Sequence, residues 1–390
     1  MVFSKFIGGW LNGRCSGAMK TLESEILPGS QWKTFRIRLI GMLRMIHSLW
    51  MRQYPDFIYR KNAGKDFPVF TFHHIQTTRF RTQLDFIRLN GYETVQTDVL
   101  LSNPESADGA RTRRVMLTFD DGTEDLYRIA FPILREFDMK AVAFISPFWI
   151  DQTGLVSWNQ IQEMHESGVI DFQSHSYSHQ MIEVGPKIVD FYNPGLTHLH
   201  RWDLPFFQDV KESGILNTMS FGTPIRPFTS GMGDQRVLLK ELDFDVSFRS
   251  EVQSHGGKTF FRQSGWSRQL QSITKKTTKI IQYESEAEQN DRIRSELEKS
   301  KTEIEARLPG KEVIAFAYPN HIQGRITSRL LSEIGYSLVF GGIQSDIGLN
   351  DPNRSYKYFK RVNADFIHCL TGNQSQGIFS VMRHKFIQKQ

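Results

Sequence analysis

Two carboxylates stand side by side where a hydrophobic run ends, in Thr118-Phe119-Asp120-Asp121-Gly122. Like charges this close repel each other unless a cation or a shared proton relieves them. Gly122 lets the backbone turn sharply, so both side chains can converge despite the alternation of a strand. Later, Ser174-His175-Ser176-Tyr177-Ser178-His179 again follows a hydrophobic run. Imidazoles four residues apart meet on one side of a single helical turn and can share one metal ion. Two histidines and one carboxylate make a three-ligand site with positions left open for water. Nitrogen donors favour zinc, or a similar transition metal, over magnesium. The chemistry this set supports is hydrolysis: an ion polarises a carbonyl and acidifies a water, and the spare acid takes the water's proton. Taken singly, the acids also fit a solvated turn and the histidines two unrelated surface residues; taken together they describe a site. A third apolar run ends at a polar turn in Ala315-Phe316-Ala317-Tyr318-Pro319-Asn320.

These residues need a frame that delivers them to one place. From residue 66 the pattern alternates strand and helix. Phe67–His73 reads as a buried strand, and Phe80, Leu84 and Ile87 as one face of a helix stopped at Asn90-Gly91. Arg114–Phe119 is a strand, Thr123–Phe137 a helix kinked or restarted at Pro132, and Lys140–Ile145 a strand. Ser157 with Gln160 forms a capping box for a helix that buries Ile161 and Met164 and ends at Gly168. The strand Val169–Gln173 follows. Ile293, Leu297, Ile304 and Leu308 line one face of a long charged helix stopped by Pro309-Gly310. The strand Glu312–Tyr318, the helix Thr327–Ile334 and the strand Tyr336–Phe340 complete the alternation, with a late strand at Phe359–Val362. Such an order predicts a parallel sheet with helices outside, doubly wound or closed as a barrel. Ligands bind at the carboxyl ends of the strands in such sheets, which is where all three motifs fall. Residues 180–290 break the rhythm and read as a long insertion over one end of the sheet.

Composition excludes several classes. Of 390 residues 39% are hydrophobic and 23% charged, so whole-chain disorder and collagen-like structure are excluded. No stretch approaches the ~20 uninterrupted apolar residues of a membrane span. The two cysteines, Cys15 and Cys369, cannot build a disulfide framework or a four-thiolate zinc site. The net charge of +6 comes with no basic stripe interleaved with aromatics, so nucleic acid is not expected as a partner. Residues 1–65 differ from the body and read as a basic helical extension. In Phe35–Trp50, Leu39, Met42, Leu43 and Ile46 fall at helical spacing beside Arg36, Arg38 and Arg44. That helix suits peripheral contact with an anionic membrane, or packing on the main domain. The short apolar pieces near Phe3–Trp10, broken by Gly8 and Gly9, give no secretory signal, so a cytoplasmic or inner-membrane-associated location is expected.

As a set, the three motifs resemble those of the polysaccharide deacetylases of carbohydrate esterase family 4. The flanking segments FTFHHI, FRTQLDFIRLNGYETV and VSWNQIQEMHESGVIDFQSHSYSH, and ELEKSKTEIEARL before the third motif, are similar too. The resemblance covers about residues 66–180 and 293–365; the N-terminal extension and the insertion lie outside it. It implies a distorted (β/α) barrel and metal-dependent removal of acetyl groups from an N-acetylated glycan or sugar. By motif position it implies Asp120 as general base and Asp121, His175 and His179 as ligands of a divalent metal, zinc by the donor set above. It places Tyr318 and Asn320 at the substrate, with the Asn320 N–H on the oxyanion; the family more often has an aromatic there. The general-acid histidine would be His368, in Phe366-Ile367-His368 where the family has Leu-x-His. His73, after the first strand, is a second candidate to line the site or donate the proton, and Arg361 would orient Asp120. His47, His165, His198, His200, His255, His321 and His384 are read as surface or packing residues. Trp149, Trp158 and Trp202 can stand near the mouth or pack in the core. Two other activities compete. The altered third motif and irregular acid fit a catalytically silent glycan-binding protein. A magnesium phosphotransfer enzyme built on Asp120-Asp121 would leave both histidines without a role.

Overall fold

Alternate residues of seven strands build the interior of a closed parallel barrel. The structure, a computed structural model, describes residues 45–59, 67–102, 113–196, 220–239, 242–274, 282–343 and 354–387. The barrel strands are β1 (Val69–Phe72), β3 (Arg113–Asp120), β4 (Ala141–Ile145), β5 (Ile170–Ser174), β6 (Ala315–Ala317), β7 (Leu338–Gly341) and β8 (Lys357–Asn363). Each is parallel to its neighbours, and β1 closes the ring by pairing with β8 on one side and β3 on the other. A short β2 (Tyr92–Thr94) pairs with the first residues of β3, before β1 takes over that edge.

The strand period of two divides the side chains. Val69, Met116, Val142, Phe144, Ala315, Ala317, Leu338 and Phe340 pack together with Leu100 as one buried cluster. Thr118, Asp120 and Arg361 keep the same parity, so the column turns polar as it nears the carboxyl ends. The opposite parity faces the helices. Phe72 and Phe119 stack at 5.0 Å, and both meet Phe80 of helix α1 (Thr77–Leu89) edge-on. Burying a phenylalanine in this way contributes about 1.5–3 kcal/mol.

The expected elements stand close to where the sequence puts them. Ser157 and Gln160 form the capping box of α3 (Trp158–Glu166), whose Ile161 and Met164 are buried. The expected helix kink at Pro132 is a π turn over Leu126–Ala130 that runs into α2 (Phe131–Glu136), with Pro132 in its first turn. Ile293, Leu297, Ile304 and Leu308 are all fully buried along α6 (Glu286–Arg307) and its end.

The ring is weakest between β5 and β6, where only Phe316 and Ser174 are in register. A side chain replaces the missing ladder. The Gln173 amide oxygen accepts from Ile314 N and Ala315 N at 3.0 and 2.9 Å, so the start of β6 has no orphaned donors.

Residues 180–290, read as nearly aperiodic, hold more structure than the sequence signals. Their described residues contain short antiparallel pairs and two α-helices, α4 (Leu242–Ser254) and α5 (Trp266–Thr274). Phe191, Phe248, Val252, Phe260 and Leu270 form a core of their own. Arg226 is buried between Glu183 and Asp245 and ties two of these elements together. The last elements are α7 (Arg325–Ile334) and α8 (Ile378–Ile387). No described helix is long and apolar enough to cross a membrane.

The chain divides between Tyr54 and Pro55 into two units. Of the first, only residues 45–54 are described; residues 45–50 are helical, with Ile46 and Trp50 exposed. The rest of the basic stretch, the expected boundary at 65/66, His198, His200 and Trp202 lie outside the described residues.

Candidate active site

Asp120 is the last residue of β3, and its ladder partner is Phe144. Its side chain ends the interior column and is almost fully buried. The Arg361 guanidinium of β8 donates to Asp120 Oδ1 at 2.6 Å and lies over the Phe144 ring, 5.3 Å from its centroid. Burial alone would raise the Asp120 carboxyl. The Arg361 charge, then His175 and His73, outweigh burial and hold the carboxyl well below the usual carboxylate range. His73, just past β1, places Nε2 3.7 Å from Asp120 Oδ2 and is half exposed.

The chain then turns over the rim. Asp121 and Gly122 take consecutive left-handed conformations, φ 70° and 73°. Gly122 is confined as well as twisted: a Cβ there would stand 3.3 Å from both Ile145 Cγ2 and Ile150 Cδ1. We expect Gly122→Ala to cost about 1–3 kcal/mol, from the left-handed backbone and this contact. Urea unfolding midpoints against wild type measure it.

The turn carries Asp121 across to the end of β5. Asp121 Oδ1 lies 3.6 Å from His175 Nε2 and 3.7 Å from His179 Nε2. One ligand atom from each of the three falls within 4.8 Å of the others. Ligand atoms about 2.0–2.2 Å from a tetrahedral zinc ion stand roughly 3.3–3.5 Å apart, so the spacing fits such an ion. The protonation states fit too. His175 Nδ1 donates to the Ala317 carbonyl at 2.8 Å, leaving its Nε2 lone pair toward Asp121. Burial lowers the His175 imidazole to about 3 against the pull of Asp120, so it is neutral at pH 7, as a ligand must be. The same hydrogen bond spans the weak β5–β6 seam.

The turn bearing the two histidines differs from the expected helical one. Ser176 and His179 are left-handed, φ 65° and 51°, and His179 N donates to Ser176 Oγ at 3.0 Å. The imidazoles still meet, with ring centroids 5.1 Å apart, because the bend brings His179 back over the strand end. Trp149 is buried behind this turn and donates from Nε1 to the Ser178 carbonyl at 2.8 Å. Trp158 lies instead under the Arg307 guanidinium on the helical layer.

The third motif divides. Tyr318 is buried, and its hydroxyl lies with Tyr356. Asn320 is exposed and left-handed at φ 53°, and its Nδ2 donates to Met181 Sδ at 3.2 Å at the base of the insertion. The sequence reading left His321 among surface or packing residues, and the structure sets it beside the site. Burial, then the Arg361 charge, lower its imidazole to about 3, against the pull of Asp120. Gly342 makes its room, since a Cβ there would stand 2.9 Å from His321 Cβ. Its position directly after the motif is the signal that could have found it.

His368 is not brought to this group. Its ring packs edge-on against Phe86 in the last turn of α1, 5.0 Å between centroids. The chain that follows binds at the other end of the barrel, where Arg113 at the start of β3 donates to the Thr371 carbonyl. A helix end that feeds β2 points away from the carboxyl ends of the strands, so the altered Leu-x-His pattern marks a packing residue.

Comparison with known proteins agrees with the motifs. Residues 107–193 match the family model described as polysaccharide deacetylase. A stretch of 122 residues is 27% identical to the poly-beta-1,6-N-acetyl-D-glucosamine N-deacetylase of Escherichia coli K12, over 27% of this chain and 18% of that protein. A stretch of 137 residues is 25% identical to the enzyme of the same name from Staphylococcus epidermidis, over 34% of this chain and 46% of that one. The chain thus spans less than half the length of either relative. The solved structure of a de-N-acetylase from Aggregatibacter actinomycetemcomitans aligns over 82% of this chain and 98% of that one, at 15% identity and a TM-score of 0.48. The matched segment holds the second, third and fourth strands of the parallel barrel together with the first two motifs, and over that segment this chain is similar to the polysaccharide deacetylases.

Proposed function

We propose that this protein is a metal-dependent hydrolase that removes N-acetyl groups from a glycan. The observation that carries the reading is the convergence of Asp121, His175 and His179 beside a second, separately held acid, Asp120. The three ligands would hold a divalent ion, zinc by their nitrogen-rich set, which when bound supplies polarisation of the acetyl carbonyl and a lowered pKa for water. Asp120, kept ionised by Arg361, accepts the proton of the attacking water. The Asn320 N–H donates to the oxyanion that develops as the carbonyl carbon becomes tetrahedral. Collapse breaks the carbon–nitrogen bond, and the amine leaves with a proton. His73 is the donor the geometry favours, because it reaches toward Asp120 and is open to solvent, whereas His368 faces α1. Acetate and a free amine on the sugar are the products.

The test is acetate release from N-acetylglucosamine oligomers by the purified chain. Release is expected with zinc, its loss after a chelator, and its return when zinc is restored. Oligomer binding without turnover by the zinc-loaded protein would overturn the hydrolase reading and favour the silent glycan-binding one. Release indifferent to chelator would overturn metal dependence.

A further inference from the structure

The turn that carries both histidine ligands is strained, and α6 holds it from behind. Left-handed Ser176 and His179 each cost of the order of 1–3 kcal/mol, so such a turn persists only when its surroundings over-determine it. Glu296, on α6, meets the turn at several points. Its carboxylate accepts from Ser178 N at 2.9 Å and from Ser178 Oγ at 2.7 Å, one bond to each oxygen. Its own backbone carbonyl accepts from Tyr177 N at 3.1 Å. Within the turn, His179 N donates to Ser176 Oγ at 3.0 Å. Glu296 thus grips Tyr177 and Ser178, the two residues directly before His179. Ser300, one turn further along α6, adds a bond from its hydroxyl to that of Ser174 at 2.8 Å, at the root of the same turn.

We infer that Glu296 is a positioning residue for the metal site: it holds the 175–179 turn in the shape that aims both imidazoles at Asp121. The inference rests on the proposed metal site and extends it to a residue outside the three motifs. Glu296 belongs to the helix that packs at the β5–β6 seam, so metal affinity is coupled to the seating of α6.

The test is zinc affinity of the full-length chain, by competition with a chelator, for wild type, Glu296→Ala and Glu296→Gln. Metal-free unfolding midpoints are recorded in parallel. Outer partners of metal ligands typically govern about 10–100-fold in affinity, and a loss of that size is expected for Glu296→Ala. Glu296→Gln keeps one acceptor oxygen and should fall between Ala and wild type. A purely structural role would lower the unfolding midpoint and leave the zinc affinity of the folded protein unchanged. Glu296→Ala within twofold of wild type overturns the inference. If Ala does not fold, Gln carries the test, with at least a threefold loss expected and an unchanged affinity overturning it. Wild type that binds no zinc overturns the proposed function and this role together, whereas a zinc-binding wild type with an unaltered variant overturns this role alone.

Discussion

Asp120→Asn is expected to release acetate about 10²–10⁴-fold more slowly than wild type while still binding zinc, since that is the range a positioned general base supplies. Asparagine has nearly the same shape, and its amide oxygen can still accept from Arg361, which lies 2.6 Å from Asp120 Oδ1. What it cannot do is take a proton. Asp121→Asn is the contrast, because it weakens a ligand and should lose zinc together with activity. The adjacent pair thus separates into a base and a ligand by one ratio, rate per bound zinc, which collapses only in the first variant. The Asp120 variant leaves a buried guanidinium facing a neutral amide, so some stability goes with it. Rates are therefore compared per folded, zinc-loaded molecule. A rate within a few-fold of wild type would remove Asp120 from the mechanism and leave the metal site standing.

Much of this site could be read from text alone, for a physical reason. Its proposed ligands sit where buried strands end, and buried strands are the loudest signals in a sequence. Asp120, Asp121, His175 and His179 each follow such a run, and the parallel order delivers the ends of those runs to one rim. Arg361 was named through the family resemblance, and the fold sets its guanidinium on Asp120. What stayed hidden depends on contacts between distant segments. Nothing near Glu296 distinguishes it from the other acids of a charged helix, and only the fold shows its carboxylate on Ser178. His368 misled because its local pattern nearly matches the family's, while its ring packs on α1. The histidine turn was expected as helix from a spacing of four, and two left-handed residues bring the rings together instead. In the insertion, helix periods are short and the small core is aromatic and scattered in sequence, so α4 and α5 left no clean pattern.

Arg361→Met should destabilise the metal-free protein by about 3–5 kcal/mol at neutral pH, the cost of stranding a buried charge without its partner. The Arg361 side chain is fully buried, and Nε and Nη2 have no hydrogen-bond partner among the described residues. The ion pair with Asp120 and the Phe144 ring beneath it therefore account for its charge. Methionine fills a similar length against that ring, so the loss reads the charge more than the volume. The pH dependence fixes the sign. In wild type the folded Asp120 carboxyl lies below its unfolded value, so its stabilisation is present above the unfolded pKa and is lost as pH falls. In the variant, burial goes unopposed by Arg361 and the carboxyl rises, so folding strains against the charge and stability is regained as pH falls toward the unfolded value of about 4. The gap between the two proteins must narrow on acidification. The acid limb of acetate release must also move to higher pH, because the base needs to be ionised. Arg361→Met combined with Asp120→Asn removes both charges and should recover much of the lost stability, since a pair deleted whole strands nothing. Urea unfolding of the three variants from pH 4 to pH 8 carries the comparison. A single Arg361→Met variant within about 1 kcal/mol of wild type at pH 8 would mean that Asp120 is held ionised by something other than this arginine.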